Sequence, residues 1–169
     1  MFRRNRRRTG NATVEMTLVG IPIIFALISI FEMARGMWVY QTMAHALKEG
    51  ARYAAVHGSN CGLPNTCAGT VGNVANVIKN AGVGLDGSSL MITMACTGCA
   101  TMAPTSLNNL IGSATLYPTG AGAQQQQPLT LTATYPFRSA IAMFWPGAGT
   151  GVLIPLVTFP ASAQESVQF

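Results

Sequence analysis

Four cysteines are the residues of this chain whose type and spacing could do chemistry. Cys96 and Cys99 form a Cys-x-x-Cys pair, and Cys61 and Cys67 precede it in the chain. Thiolates at this spacing can form half a zinc site, a redox motif or a disulfide. A zinc site would need all four thiols together, and a redox site would need a thioredoxin-like βαβ setting, which the sequence lacks. We favour structural disulfides and, of three possible pairings, Cys61–Cys67 with Cys96–Cys99.

Other groupings that could carry out catalysis are missing from the sequence. His45 and His57 are isolated, and Asp86 is the single aspartate. Hydrolysis by paired carboxylates and phosphate binding by a glycine-rich loop both need residues that this pattern lacks. We therefore predict that the chain is not an enzyme and uses no metal, cofactor or small-molecule substrate.

The charge of the chain is concentrated at its N-terminus. Only 9% of the residues are charged and 49% are hydrophobic, whereas a soluble domain has roughly 25% charged residues. Half of the ten basic residues are arginines within positions 3–8, and the remainder of the chain is neutral. No basic stripe with interleaved aromatic residues follows, so we expect no nucleic-acid partner.

An uncharged apolar run follows the arginines. It spans residues 16–31 between Glu15 and Glu32, slightly short of the ~20 residues that a membrane span prefers, and reaches that length if it extends to Ala34. Arginines beside a first apolar helix stay in the cytoplasm. We therefore predict a single-pass bacterial inner-membrane protein with a cytoplasmic N-terminus, in contact with membrane lipid, whose cysteines lie in the oxidising periplasm.

The pattern of elements predicts an α+β fold. A helix should run from about Thr13 to about Val56, on the order of 65 Å, because apolar residues recur at spacings of three and four: Met33, Met37, Tyr40, Ala44, Leu47, Ala51 and Ala54. A short helix should cover Val71 to Ile78 and end near Gly82. A small antiparallel sheet of three or four strands completes the predicted head.

The strands are predicted from alternation and β-branched content. We expect strands at 90–95 and 129–135, a third at 152–159 limited to an edge or bulge by Pro155, and a last strand or frayed end at 162–169. Residues 103–128 are rich in Gly, Ser, Thr and Ala. They should form a long surface loop with a short hairpin around Leu116 and Tyr117.

Three features carry a resemblance to a known family. A basic leader ends at Gly10 and is followed by Asn-Ala-Thr-Val-Glu at positions 11–15, and the apolar run closes with Glu32 and Arg35. Residues 49–54 then read Glu-Gly-Ala-Arg-Tyr-Ala. From about Gly10 to Val56 the chain resembles the TadE-like minor pilins, or pseudopilins, of the tight-adherence (Flp-type) pilus system.

That resemblance implies a processing site and a set of partners. Prepilin peptidase would cut between Gly10 and Asn11, so that Glu15 becomes the fifth mature residue and meets the terminal ammonium of a neighbouring subunit. The ordinary alternative is a Glu near the helix N-terminus, favoured by the helix dipole. The implied partners are other pilin and pseudopilin subunits, the peptidase, and the inner-membrane platform with its ATPase.

Two charged groups further along the helix have open interpretations. Glu32 and Arg35 could pair on one helix face at the membrane boundary or contact another pilin subunit. Glu49, Arg52 and Tyr53 could form a surface pair or, as the resemblance implies, dock against the sheet.

The predicted organisation has four parts. Residues 1–10 form the leader, 11–34 the transmembrane helix, 35–57 its periplasmic continuation and 58–169 a periplasmic head. The expected function is biogenesis of a type IVb-like pilus, with the pilus or cell surface as a later location. The alternatives are an uncleaved periplasmic assembly factor and a secreted protein, although residues 32–35 make a poor signal-peptidase site.

Overall fold

The computed structural model describes residues 10–59, 67–99, 101–139 and 157–168. Its first element, α1, covers Gly10–Val56 and so begins three residues before the predicted start at Thr13. Pro22 lies inside α1, where its missing N–H removes one backbone hydrogen bond. The leader up to residue 9 lies outside the described residues.

Among the described residues, two further α-helices and four strands form the head. In chain order they are α2 (Val71–Ala81), β1 (Met91–Cys96), β2 (Thr105–Ser106), α3 (Leu107–Leu110), β3 (Pro128–Phe137) and β4 (Val157–Ser166). The hydroxyl of Thr70 caps α2 by accepting the Asn73 backbone N–H at 3.1 Å. The predicted α+β architecture with a long N-terminal apolar helix and a small antiparallel sheet is confirmed.

The sheet has the order β2-β1-β3-β4, and every neighbouring pair is antiparallel. The strand β3 pairs along its whole length with β4, from Pro128 opposite Ser166 to Phe137 opposite Val157. Its buried residues Leu129, Leu131 and Ala133 alternate with more exposed threonines. The predicted period of two is therefore correct, and it turns one face of β3 toward the core.

The core lies between this sheet face and the two longer helices. Buried residues of α1 and α2 pack in one cluster with β1 and β3. Leu47, Ala51 and Ala54 from the predicted apolar stripe are buried in it, whereas Met33 and Met37 are 71% and 58% exposed. The helix predicted from this recurrence is present over the whole stripe, but the core covers only its C-terminal part.

The last strand also differs from expectation. We predicted a strand at 152–159 and a second element at 162–169, but β4 is one strand that includes Pro160. Residues 152–156 lie outside the described residues. A proline is tolerated here because β4 is an edge strand. All ten of its residues follow the register of β3, which sequence alternation alone could not reveal.

The predicted surface loop at 103–128 is wrong as well. It contains β2, α3 and a single 3-10 turn at Gly120–Ala123. Leu107, Leu110 and Tyr117 are buried. Leu116 forms an isolated antiparallel bridge with Thr70 and not a local hairpin. Elements of two to four residues have no readable periodicity, and their stability comes from the core they cover.

Candidate functional site

The head packs against one stretch of α1, from Gly36 to Ala55. At the C-terminal end of this stretch, the backbone N–H of Gln168 donates to the carbonyl of Ala55 at 2.8 Å. At its N-terminal end, the Phe159 ring packs on Gly36, with its Cζ 3.5 Å from the position a Cβ would occupy. Gly36 to Ala55 spans about 29 Å of helix, and Phe159 to Gln168, which is strand as far as Ser166, spans about 31 Å if extended. The matched lengths explain why the sheet and the covered helix end together.

The N-terminal half of α1 has no such cover. It contains a window long and apolar enough to cross a membrane, and none of that window is buried by the described part of the chain. Ile28 is half-buried, but the other large apolar side chains of this half are more than half exposed: Val14, Met16, Leu18, Val19, Ile21, Ile23, Ile24, Phe25, Leu27, Ile30 and Phe31. Exposure on this scale marks a surface that contacts lipid or another apolar helix.

Glu15 lies on this uncovered half. It is exposed, in the second turn of α1, with apolar residues on both sides. Gly10 and Asn11, the predicted cleavage pair, belong to the first turn of the same helix. The assignment of these three residues to processing and assembly stays a prediction.

Arg35 joins the uncovered helix to the head. Its guanidinium pairs with Glu32 at 3.1 Å, lies 4.6 Å from the centroid of the Phe137 ring and donates to the Arg138 carbonyl. Phe137 in turn lies 5.2 Å from the Phe159 ring. Glu32 and Arg35 therefore pair on the helix, one of the two interpretations that the sequence left open, and Arg35 also fastens the end of β3 to α1.

The aromatic half of this junction was missed by the sequence analysis. Phe137 and Phe159 are separated along the chain, but they are neighbours because β3 and β4 pair at Phe137 opposite Val157. The Tyr40 ring meets Phe159 edge-on at 6.3 Å. The register of β3 and β4 brings the two phenylalanines together, and the level at which the sheet meets α1 adds Tyr40; neither can be derived from spacing along the chain.

The tract at 49–54 separates into two faces. Glu49 and Arg52 form a surface pair at 3.4 Å, while Gly50 and its neighbours Ala51 and Ala54 are buried against the head. A Cβ on Gly50 would lie 2.5 Å from Ile78 Cγ1. The small residues therefore allow α1 and α2 to approach closely.

Tyr53, the third named residue of this tract, is half-buried. Its ring stacks on His57 with centroids 4.1 Å apart, and its backbone carbonyl lies 2.9 Å from His57 Nδ1. Tyr53 also packs against the core cluster. The charged pair of the tract therefore lies on the surface. The residues of the tract that dock against the head are the small ones and Tyr53.

Cys96 and Cys99 are joined by a disulfide at the end of β1. Gly98 takes a φ of 73° in the turn that it closes, a conformation that favours glycine. Gly122 covers the bond, since a Cβ there would lie 2.8 Å or less from both sulfurs. Cys61 lies outside the described residues, so the Cys61–Cys67 pairing stays a prediction.

The polar groups of the head serve turns and strands. The Asp86 carboxylate accepts hydrogen bonds from Ser88 and from the Ser89 hydroxyl, and these bonds lower the pKa of Asp86 to about 2. Burial raises the pKa of Tyr117, whose hydroxyl donates to the Ala95 carbonyl at 2.8 Å. Among the described residues, no three His, Cys, Asp or Glu are grouped to hold a metal.

The comparisons with known proteins address the long helix. Residues 10–52 match the TadE-like protein family. This TadE-like segment starts at the glycine of the predicted leader and ends inside the 49–54 tract, so the resemblance inferred from sequence is confirmed over that range. No curated protein and no solved structure gives a significant match.

The TadE-like segment includes both halves of α1. It contains the uncovered apolar run, the Glu32–Arg35 pair and the buried Gly50. The family is associated with tight-adherence pili and is a structural one, and a helix that could span a membrane agrees with a membrane-anchored pilus protein. The sheet and α2 lie outside the matched range.

Proposed function

We propose that this protein is a minor pilin that takes part in the assembly of a tight-adherence pilus. The observation that carries the proposal is the uncovered half of α1, a helix of apolar side chains that the protein's own head does not shield. Such a helix is stable in a bilayer and can transfer to a fibre core made of similar helices, because both remove apolar surface from water.

Processing would prepare the helix for that transfer. Removal of residues 1–10 by prepilin peptidase eliminates the cluster of arginines, which are costly to move through a bilayer. It also creates a free ammonium at Asn11, four residues before Glu15. We infer that the Glu15 carboxylate attracts the Asn11 ammonium of an adjacent subunit, an interaction that strengthens in an apolar surrounding.

The proposed location follows from the same features. Residues 11–34 would cross the inner membrane, with the leader in the cytoplasm and the head in the periplasm, where its disulfide is stable. The partners would be other pilin subunits, the peptidase, and the membrane platform with its ATPase. The head then acts as a structural part and carries no catalytic role.

Mass spectrometry of the N-terminus tests the processing step. We expect protein purified from membranes with an active prepilin peptidase to begin at Asn11, and a Gly10→Leu variant to keep its leader. A wild-type protein that retains residues 1–10 in assembled fibres would favour the alternative function of an uncleaved assembly factor.

Substitution of Glu15 tests the assembly step. We expect Glu15→Ala to lower incorporation into purified pili by at least tenfold while membrane abundance stays normal. Glu165→Ala, which removes the same charge from the edge strand of the head, is the matched control. Normal incorporation of the Glu15 variant would contradict the proposed pairing.

A further inference from the structure

An apolar groove lies where the lower end of the sheet meets α1. Its volume is about 510 Å³. Met33, Met37 and Tyr40 form its helix wall, and Phe137, Val157 and Phe159 form its sheet wall. Gly36 lies at its base, and the groove is open because this glycine has no side chain.

The groove lies at the end of the apolar run. It extends from Ser29 to Gln41 along α1, about 18 Å at 1.5 Å per residue. Its first lining residue, Ser29, belongs to the uncharged run that ends at Phe31. The polar zone of a bilayer is only about 5–8 Å deep on each side. If α1 crosses a membrane, the groove therefore opens sideways at the boundary between acyl chains and headgroups.

Two arginines lie next to residues that line the groove. The Arg35 guanidinium pairs with Glu32 and lies over the Phe137 ring, and its side chain is 51% exposed. Arg138 follows Phe137 in the chain and is also exposed. The two arginines and one glutamate leave one positive charge in excess. A cationic group at this depth attracts lipid phosphate, and arginine can hold it with two parallel hydrogen bonds.

The chain that leaves the sheet here is also apolar in sequence. β3 ends at Phe137 and β4 begins at Val157, and both residues line the groove. Residues 140–156 between them contain no charged side chain. The composition of this part of the chain, apolar residues beside two arginines, suits a bilayer interface.

We propose that the groove binds one acyl chain of a membrane phospholipid, with the lipid phosphate against Arg35 and Arg138. The head would then rest on the outer face of the bilayer. The proposal requires that α1 crosses a membrane, and it does not depend on a role in a pilus. A second copy of the chain in the groove is the competing occupant, and the experiment separates the two.

The test is photocrosslinking in vesicles of phosphatidylcholine and phosphatidylglycerol that contain a lipid with a diazirine on its acyl chain. Full-length protein is reconstituted, irradiated and mapped by mass spectrometry. We expect labelling of Met37, Phe137 and Phe159 to exceed that of Trp38 at least fivefold. Trp38 is 66% exposed at the same level of α1 and does not line the groove.

A blocking variant makes the test specific. Gly36→Leu places a side chain at the base of the groove, where even a Cβ would already touch both phenylalanine rings. We expect labelling of Phe137 and Phe159 to fall at least fivefold. Gly20→Leu is the matched control, since a Cβ at this α1 glycine has no neighbour within 4 Å. The proposal would be overturned if Trp38 and Phe159 were labelled equally and the Gly36→Leu substitution left that labelling unchanged.

Two further outcomes keep the result interpretable. Crosslinked dimers through Met37 or Phe159 would assign the groove to a second copy and would also overturn the proposal. Arg138→Gln keeps the backbone carbonyl that Arg35 contacts, so it tests the phosphate without disturbing the junction. In the Arg138→Gln variant we expect Phe159 still to be labelled. The preference of the protein for anionic over zwitterionic diazirine lipid should be lost.

Discussion

The guanidinium of Arg35 lies 4.6 Å from the centroid of the Phe137 ring, and this contact marks where the head begins along α1. On the N-terminal side of this contact, the helix is apolar and uncovered. On its C-terminal side, helix and sheet share one core. The same guanidinium holds Glu32 at 3.1 Å. A single side chain thus connects the helix surface, the end of β3 and the boundary of the apolar run.

Replacing Arg35 with alanine should weaken the docking of the sheet on α1. The change removes an ion pair, a cation–π contact and a hydrogen bond to the Arg138 carbonyl. We expect a loss of about 1–2 kcal/mol in the free energy of unfolding, measured by denaturation of the full chain in detergent micelles.

Arg52→Ala is the control for that substitution. Arg52 pairs with Glu49 at the same three-residue spacing, and its side chain is 61% exposed. An exposed helix pair contributes only about 0.3–0.5 kcal/mol. Equal losses for the two variants would show that the contacts of Arg35 with β3 add no stability.

Adding a methyl group at Gly50 should destabilise the head. Alanine favours a helix over glycine by about 1 kcal/mol, but the new Cβ would lie 2.5 Å from Ile78 Cγ1 and 3.4 Å from Leu131 Cδ1. Overpacking of a core costs about 1–3 kcal/mol. We therefore expect Gly50→Ala to lower the thermal midpoint, and Gly20→Ala to leave it unchanged or raise it.

A double variant checks the cause of that loss. Ile78→Ala removes the atoms that the new methyl would meet, so its combination with Gly50→Ala should cost less than the sum of the two single changes. If the losses of stability from the two single changes are additive, the effect of Gly50→Ala does not come from the contact between α1 and α2.

Loss of the Cys96–Cys99 disulfide should have a modest effect. The bond closes a loop with a sequence separation of 3, and loop-closure entropy for so short a loop corresponds to about 2 kcal/mol. The double variant Cys96→Ala/Cys99→Ala should unfold at lower denaturant concentration but keep its fold. Complete unfolding of this variant at 25 °C would contradict the expectation.

Acid should remove the contribution of Asp86 to stability. Hydrogen bonds from Ser88 and Ser89 lower its pKa from 3.8 to about 2, so the folded state binds its proton less readily than the unfolded state does. The stabilisation is complete above about pH 4 and is lost as the pH falls toward 2. Asp86→Asn should flatten the pH dependence of the unfolding midpoint in that window, as measured by circular dichroism.

Several features of the protein were determined by the sequence alone. The uncharged run between Glu15 and Glu32, with arginines before it, predicted a membrane-span candidate because a charged side chain inside the bilayer core is costly. Recurrence at three and four residues predicted the two longer helices, and period-two alternation predicted β3. These are local patterns, and each follows from the geometry of one element.

The tertiary structure decided what those elements touch. The one-piece β4 across Pro160 depends on pairing with β3, and the small elements of 103–128 depend on the core beneath them. The cluster of Tyr40, Phe137 and Phe159 beside Arg35 depends on strand register and on the level at which the sheet meets α1. Such contacts join residues far apart in the chain, and the spacing of residues along one segment contains no information about them.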